Sequence, residues 1–304
     1  QRMFNYDFNN IIRCQHPTVL KYLGYSLIDF KGEKNTTIIM DLATNCSLSS
    51  FIDKAQNGFA NRYYKNARQI ILIGIARGMM YLHEHHIIHR NLNSSNVFLD
   101  EHYRPLIANY GINKVSKSGQ SVPQSLTYQN AIYMAPEVLS NNFFNFKSDV
   151  YSFGILMFEI LTDTTPYPLF QKGRMTTLQF VRKIINEDFR PKFTTTVKKS
   201  FKKLVEKCLS KNPRDRPSFE EIYNMLAYNI EDSIFDISEE KDDNDHNYCL
   251  DNVDMDELFS YIDLISKSDT NDINESIKNT IDEIKRDNEL LKTDNEQLRQ
   301  QIAL

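Results

Sequence analysis

Two short stretches concentrate side chains able to orient a reacting group. They are His89-Arg90-Asn91-Leu92-Asn93-Ser94-Ser95-Asn96 and Ile107-Ala108-Asn109-Tyr110-Gly111. Beside the hydroxyls of Ser94, Ser95 and Tyr110, their polar set is one fixed cation, Arg90, one imidazole, His89, and four asparagine amides at 91, 93, 96 and 109. An amide is nearly isosteric with a carboxylate but carries no charge and takes no proton at neutral pH. Such a set can keep a shape and offer neutral oxygens. The amides cannot serve as a general base, and they are a poor choice for a hard cation that prefers carboxylates.

The elements that must position these residues are marked along the chain. His16-Pro17 with Leu20 and Gly24 reads as a turn into a strand, and Ile38-Ile39-Met40-Asp41-Leu42-Ala43 as a strand and its exit. Ile75-Ala76-Arg77-Gly78-Met79-Met80-Tyr81-Leu82-His83 reads as the end of a long helix. Ala135-Pro136-Glu137, Asp149-Val150-Tyr151-Ser152-Phe153-Gly154 and Arg216-Pro217-Ser218 follow in order. Taken together, from about residue 4 to about residue 228, the series resembles the eukaryotic protein kinase domain. It is most similar to the tyrosine-kinase-like group of serine/threonine kinases.

That resemblance implies an α+β bilobal kinase fold. A truncated N-lobe would occupy residues 1–44 (helix C, strands 4 and 5, hinge) and a helical C-lobe residues 45–228. A complete kinase places its Gly-rich loop and strand-3 lysine some tens of residues before the position of Gln1, and the expectation is that they are absent here, whether by truncation, an incomplete gene model or true loss. Asn91 then stands at the catalytic aspartate, Asn93 at the catalytic-loop lysine, Asn96 at the second magnesium position and Asn109 at the magnesium aspartate of Asp-Phe-Gly. Asp41 and Ala43 fall at the hinge, Met40 at the gatekeeper and Phe98 at the adenine floor. Asp7 replaces the helix C glutamate. Ile11, Tyr22, His89 and Tyr110 align with the regulatory spine, Glu137 and Arg216 with the ion pair that ties down the activation segment, and Asp149 with the helix F aspartate. Arg90 is the position that receives an activation-loop phosphate, with acceptors between Ser116 and Tyr128. Gln129-Asn130 replaces the usual Gly-Thr.

Loss of general-base help alone typically costs ~10²–10⁴-fold. The expectation is a pseudokinase that binds Mg-ATP weakly or not at all and acts through protein partners. Two alternatives stay open: a slow ATP-dependent serine/threonine kinase, and a fragment without function.

Charge divides the chain. Residues 1–230 carry 29 Lys+Arg against 18 Asp+Glu, and residues 231–304 carry 7 against 22. An acidic linker without fixed structure is expected over 229–272, since such composition buries little apolar surface; folding back onto the basic lobe is the alternative. From Ile277 the pattern turns to heptads: Ile277, Ile284, Leu291 and Leu298 at d, and Ile281, Asn288, Asn295 and Ile302 at a. Asparagine at a favours a parallel two-stranded coil, so residues 273–304 read as a coiled coil forming a homo- or heterodimer. A zipper-type DNA reader is excluded because the preceding segment is acidic and phosphate would repel it. No run approaches the ~20 apolar residues of a membrane span. Cys14, Cys46, Cys208 and Cys249 show no metal-site spacing. With no signal peptide visible, the cytoplasm is the expected compartment.

Overall fold

The structure, a computed structural model, describes residues 11–35, 37–57, 62–111, 128–195, 197–228 and 256–267. Asp7, Cys249, the phosphate acceptors up to Thr127 and the heptad positions from Ile277 to Ile302 lie outside the described residues.

Two antiparallel strands come first, β1 (Tyr22–Ser26) and β2 (Thr37–Met40), pairing Tyr22 with Met40 and Tyr25 with Ile38. The register shifts between Tyr22 and Gly24. Helix α1 (Leu48–Gln56) follows, capped by the Ser47 hydroxyl on the Ser50 N–H. Helix α2 (Arg62–Glu84) is long and buried on every side through its middle, from Ile70 to Met79. A helix that is apolar on nearly every side, here with Arg77 the exception, must lie inside. Its two glycines, four residues apart, make that possible: a Cβ on Gly74 would meet Pro105 Cγ at 2.5 Å, and one on Gly78 would meet Thr18 Oγ1 at 2.3 Å.

A 3₁₀ turn (Ser94–Asn96) leads into β3 (Val97–Leu99), which pairs with β4 (Pro105–Ile107) as a hairpin, Phe98 opposite Leu106. Thr18 and Leu20 run beside β4: Ile107 N–H donates to the Thr18 carbonyl and Leu20 N–H to that of Ile107, both at 2.8 Å. These bonds attach the β1–β2 unit to the helical body.

Short helices α3 (Tyr128–Ala131) and α4 (Pro136–Asn141) precede α5 (Phe146–Thr162), the axis of the core. The Asn145 side chain accepts from Ser148 N–H while the Ser148 hydroxyl engages Asn145 in return, a capping box. Nearly all of α5 from Ser148 to Ile160 is buried. Around it stand α6 (Pro168–Gln171), α7 (Thr177–Asn186), α8 (Lys199–Cys208), a 3₁₀ turn (Pro213–Asp215) and α9 (Phe219–Ala227). Gly154 lets α8 close in, because a Cβ there would meet Cys208 Cβ at 2.8 Å.

One expectation needs correction. Residues 256–267, inside the stretch read as an unstructured acidic linker, form a helix, α10, with Leu258, Tyr261, Ile262 and Ile265 buried. Acidity averaged over the whole stretch hid an apolar stripe at helical spacing; between Leu258 and Ile265 the only acid is Asp263.

Candidate active site

Asp149, on the first turn of α5, organises the His89–Asn96 loop. Its Oδ2 accepts from His89 N–H at 2.8 Å, its Oδ1 from Arg90 N–H at 2.9 Å, and His83 Nε2 lies 3.0 Å from Oδ2. These bonds hold Arg90 at φ +67°, a left-handed backbone that a long side chain rarely adopts. Asn109 is left-handed as well, at φ +59°, a conformation asparagine tolerates better than most residues.

The four asparagines form one hydrogen-bonded cluster. Asn93 Oδ1 accepts from the N–H groups of Ser95 (2.9 Å) and Asn96 (3.1 Å), capping the 3₁₀ turn. Its nitrogen therefore faces Asn91, donating to the carbonyl at 2.9 Å and to Oδ1 at 3.1 Å. Asn96 Nδ2 donates to the Asn91 carbonyl at 2.8 Å, a group that can only accept. Asn96 Oδ1 must then accept, and it does, from Asn109 Nδ2 at 2.8 Å. The Ala108 N–H closes onto the Asn96 carbonyl at 2.9 Å. Each amide is thus oriented by a backbone group or by its neighbour.

Beneath the loop lies a second network that the sequence did not disclose. Ser94 Oγ is 2.9 Å from Tyr133 Oη, which donates to Glu159 Oε2 at 2.5 Å. Burial pushes the Glu159 carboxyl up to about 8, against a smaller opposing pull from the Tyr133 bond. Burial also raises the Tyr133 hydroxyl, and Glu159 adds to that rise. The signal available was one acid inside Ile155-Leu156-Met157-Phe158-Glu159-Ile160-Leu161. The recess bounded by Arg90, Asn91, Tyr133 and Met134 holds about 10 Å³, space for one water.

The remaining sequence-derived positions fall around this centre. The Tyr22 and Tyr110 rings lie 4.9 Å apart, and Tyr110 Oη donates to the Leu20 carbonyl at 3.2 Å. Ile11 is buried beside Gly111, whose φ of +65° and closeness to Ile11 exclude a side chain. His89 is fully enclosed, and burial lowers its imidazole, with Asp149 pulling the other way. Arg216 grips Glu137 through two bonds, Nη1 to Oε1 at 2.7 Å and Nη2 to Oε2 at 2.9 Å. At the proposed hinge, Asp41 N–H is taken by the Lys21 carbonyl at 2.9 Å, Ala43 is half-buried, and Leu42 is 87% exposed. Phe98 is half-buried on the β3–β4 hairpin.

The sequence model of the family described as protein tyrosine and serine/threonine kinase matches residues 1–226. The chain belongs to the protein kinase family. Among its relatives is "Serine/threonine-protein kinase STY17" of Arabidopsis thaliana, 29% identical over 226 residues, which are 74% of this chain and 37% of that protein. "Dual specificity protein kinase zakA" of Dictyostelium discoideum is 29% identical over 70% of this chain and 28% of its own length. "Probable serine/threonine-protein kinase drkC" of the same organism is 38% identical over 51% of this chain and 20% of its own. The chain thus spans well under half the length of these relatives.

Within this kinase domain the magnesium positions do not fit the ion the family uses. The donor set is two neutral amides, Asn96 and Asn109, and the oxygen Asn96 would offer is already bonded to Asn109. Magnesium dehydrates reluctantly and is normally held through carboxylates and phosphates. Among the described residues, no helix is long and apolar enough to cross a membrane.

Proposed function

We propose that this kinase domain is a pseudokinase that works by binding protein partners, and that its affinity for Mg-ATP is weak or nil. The observation that carries the reading is the closed amide cluster. At the base, lysine and two magnesium positions stand Asn91, Asn93, Asn96 and Asn109, bonded to one another and to backbone. Around them the frame is kept: Asp149 on the loop backbone and Arg216 on Glu137. A domain that retains its frame without its charges presents a surface and transfers nothing. The heptads at 277–302 support self-association or pairing with a second coil, and the setting is cytoplasmic.

The test is transfer of labelled phosphate from ATP to the chain itself and to a generic acceptor, with Asn91→Asp/Asn109→Asp alongside. A silent wild type is expected; activity in the double variant would assign that silence to the two amides, and silence from both would mean that more than these two positions is lost. Transfer by the wild type above background would refute the reading. A slow serine/threonine kinase is the second reading, favoured by the intact Glu137–Arg216 pair and by relatives whose names are those of kinases. Wild-type transfer is the result that would select it.

A further inference from the structure

Helix α10 lies outside the segment that the family model matches, yet it is packed as closely as the core. Leu258, Tyr261, Ile262 and Ile265 are buried at i, i+3, i+4 and i+7, and the opposite face, with Glu257, Asp263 and Lys267, is in solvent. That is the pattern of a helix laid into a groove. The groove has a shaped floor. Tyr261 Oη lies 2.2 Å from where a Cβ of Gly74 would stand, so the tyrosine fills the hollow that the glycine leaves in α2. The Arg104 guanidinium lies over the Tyr261 ring at 5.4 Å, and Ser266 Oγ meets Tyr223 Oη at 3.1 Å.

The same groove is walled by the turn that joins β1 to the body. The Ile265 backbone reaches His16, whose ring lies tilted against Tyr81 with centroids 4.9 Å apart and whose Nδ1 is 2.8 Å from Thr18 Oγ1. Thr18 and Leu20 are bonded to Ile107, and Leu20 to Tyr110, the neighbour of Asn109.

We infer that α10 is a ligand built into the chain, seated in cis in a helix-docking groove between α2, α9 and the β4 edge, and that its seating holds the His16–Leu20 turn in place. A helix carrying Leu-x-x-Tyr-Ile-x-x-Ile is the partner this groove takes. The cis occupant is favoured by reach: 27 positions separate Tyr228 from Asp256, roughly 90 Å of contour, against a radius of gyration of about 17 Å for a domain of this size. A linker of 27 positions gives its segment an effective concentration of about millimolar.

Hydrogen exchange on the full chain tests this. In Tyr261→Asp/Ile265→Asp, amides of 256–267 and of His16–Leu20 should exchange roughly tenfold faster or more, with α5 unchanged, as expected for local opening. A free peptide of residues 256–267, added at about millimolar concentration to match the tether, should restore protection of His16–Leu20. Tyr261→Phe, which keeps the ring and removes a hydroxyl without a hydrogen-bond partner among the described residues, should leave α10 seated and protection far nearer wild type than the double variant. Three results would overturn the inference: unchanged exchange at His16–Leu20, loss of α5 protection together with it, or a peptide that restores nothing. Wild-type protection of 256–267 that falls on dilution would assign the groove to a second copy instead, and the cis reading would fail.

Discussion

Asn109 donates its side-chain N–H to the side-chain oxygen of Asn96 across 2.8 Å, so the two positions that would share a magnesium ion hold each other. In an active site of this family a cation would draw two oxygens together. Here an amide N–H of Asn109 bonds the Asn96 oxygen instead, and no ion is needed to keep the loops in register. Asparagine at 109 is more than a lost charge, because it supplies a donor that an aspartate lacks.

A reversal at that position should therefore cost stability before it yields binding. Asn109→Asp sets a carboxylate against the Asn96 carbonyl oxygen and removes a hydrogen bond, a loss of about 1–3 kcal/mol. Thermal unfolding with and without magnesium reads it. The variant should melt lower than wild type in EDTA and regain part of the difference when magnesium is added, while wild type ignores the ion. A variant indifferent to magnesium would contradict this account.

Asn93 gives a second test with the opposite logic. Asn93→Lys restores the family's charge but strips the oxygen that caps Ser95 and Asn96. Denaturant midpoints should show a loss of about 1 kcal/mol, the usual worth of a cap. A midpoint equal to wild type would mean that the 3₁₀ turn does not depend on this side chain.

The Glu137–Arg216 pair should be far more costly to break. Arg216 is wholly buried and Glu137 only 15% exposed at the side chain. Glu137→Ala leaves a guanidinium enclosed without its carboxylate, and the expected cost is ~3–5 kcal/mol. In a double-mutant cycle with Arg216→Ala the two losses should fall well short of additive.

Glu159 sets a slope of stability with pH. Its carboxyl holds a proton up to about 8 in the folded chain, against an ordinary value of 4.5. The unfolded chain releases that proton from pH 4.5 upward, so stability falls as pH rises through this window. His16 works in the other direction. Burial first, then the nearby Arg77, lowers its imidazole from 6.5 to about 3, so its contribution falls as pH drops below 6.5. The two oppose each other between 4.5 and 6.5, which leaves pH 6.5–8 as the clean window. There Glu159→Gln should flatten the decline seen in wild type. An unchanged slope in denaturant titrations at pH 6.5 and 8 would show that Glu159 is ionised when folded.

Much of this was legible because the chemistry sits at short sequence spacing. Asn91, Asn93, Asn96 and Asn109 can be found by eye, and the family resemblance says what each replaces. The bonds among them were not legible, because they depend on left-handed backbone at Asn109 and at Arg90, the latter held by Asp149 from a helix some sixty residues away. Ser94, Tyr133 and Glu159 come together only through the packing of α5 under the loop. Helix α10 was missed for a compositional reason: acids dominate the average of its neighbourhood, while burial follows the few residues on one face.

The left-handed, hydrogen-bonded setting of Asn109 also bears on chemical ageing. Hydrolysis of an asparagine side chain yields aspartate, so slow deamidation at 91 and 109 would rebuild, molecule by molecule, the two carboxylates this chain lacks. That reaction starts when the next residue's backbone nitrogen attacks the side-chain carbonyl carbon, and it needs a backbone free to turn. Asn109 has its backbone angle set and its amide nitrogen bonded to Asn96, which should make this clock run slowly. A preparation that gained phosphate-transfer activity over weeks of storage would be reporting its own decay, and intact mass should rise by about one dalton in step.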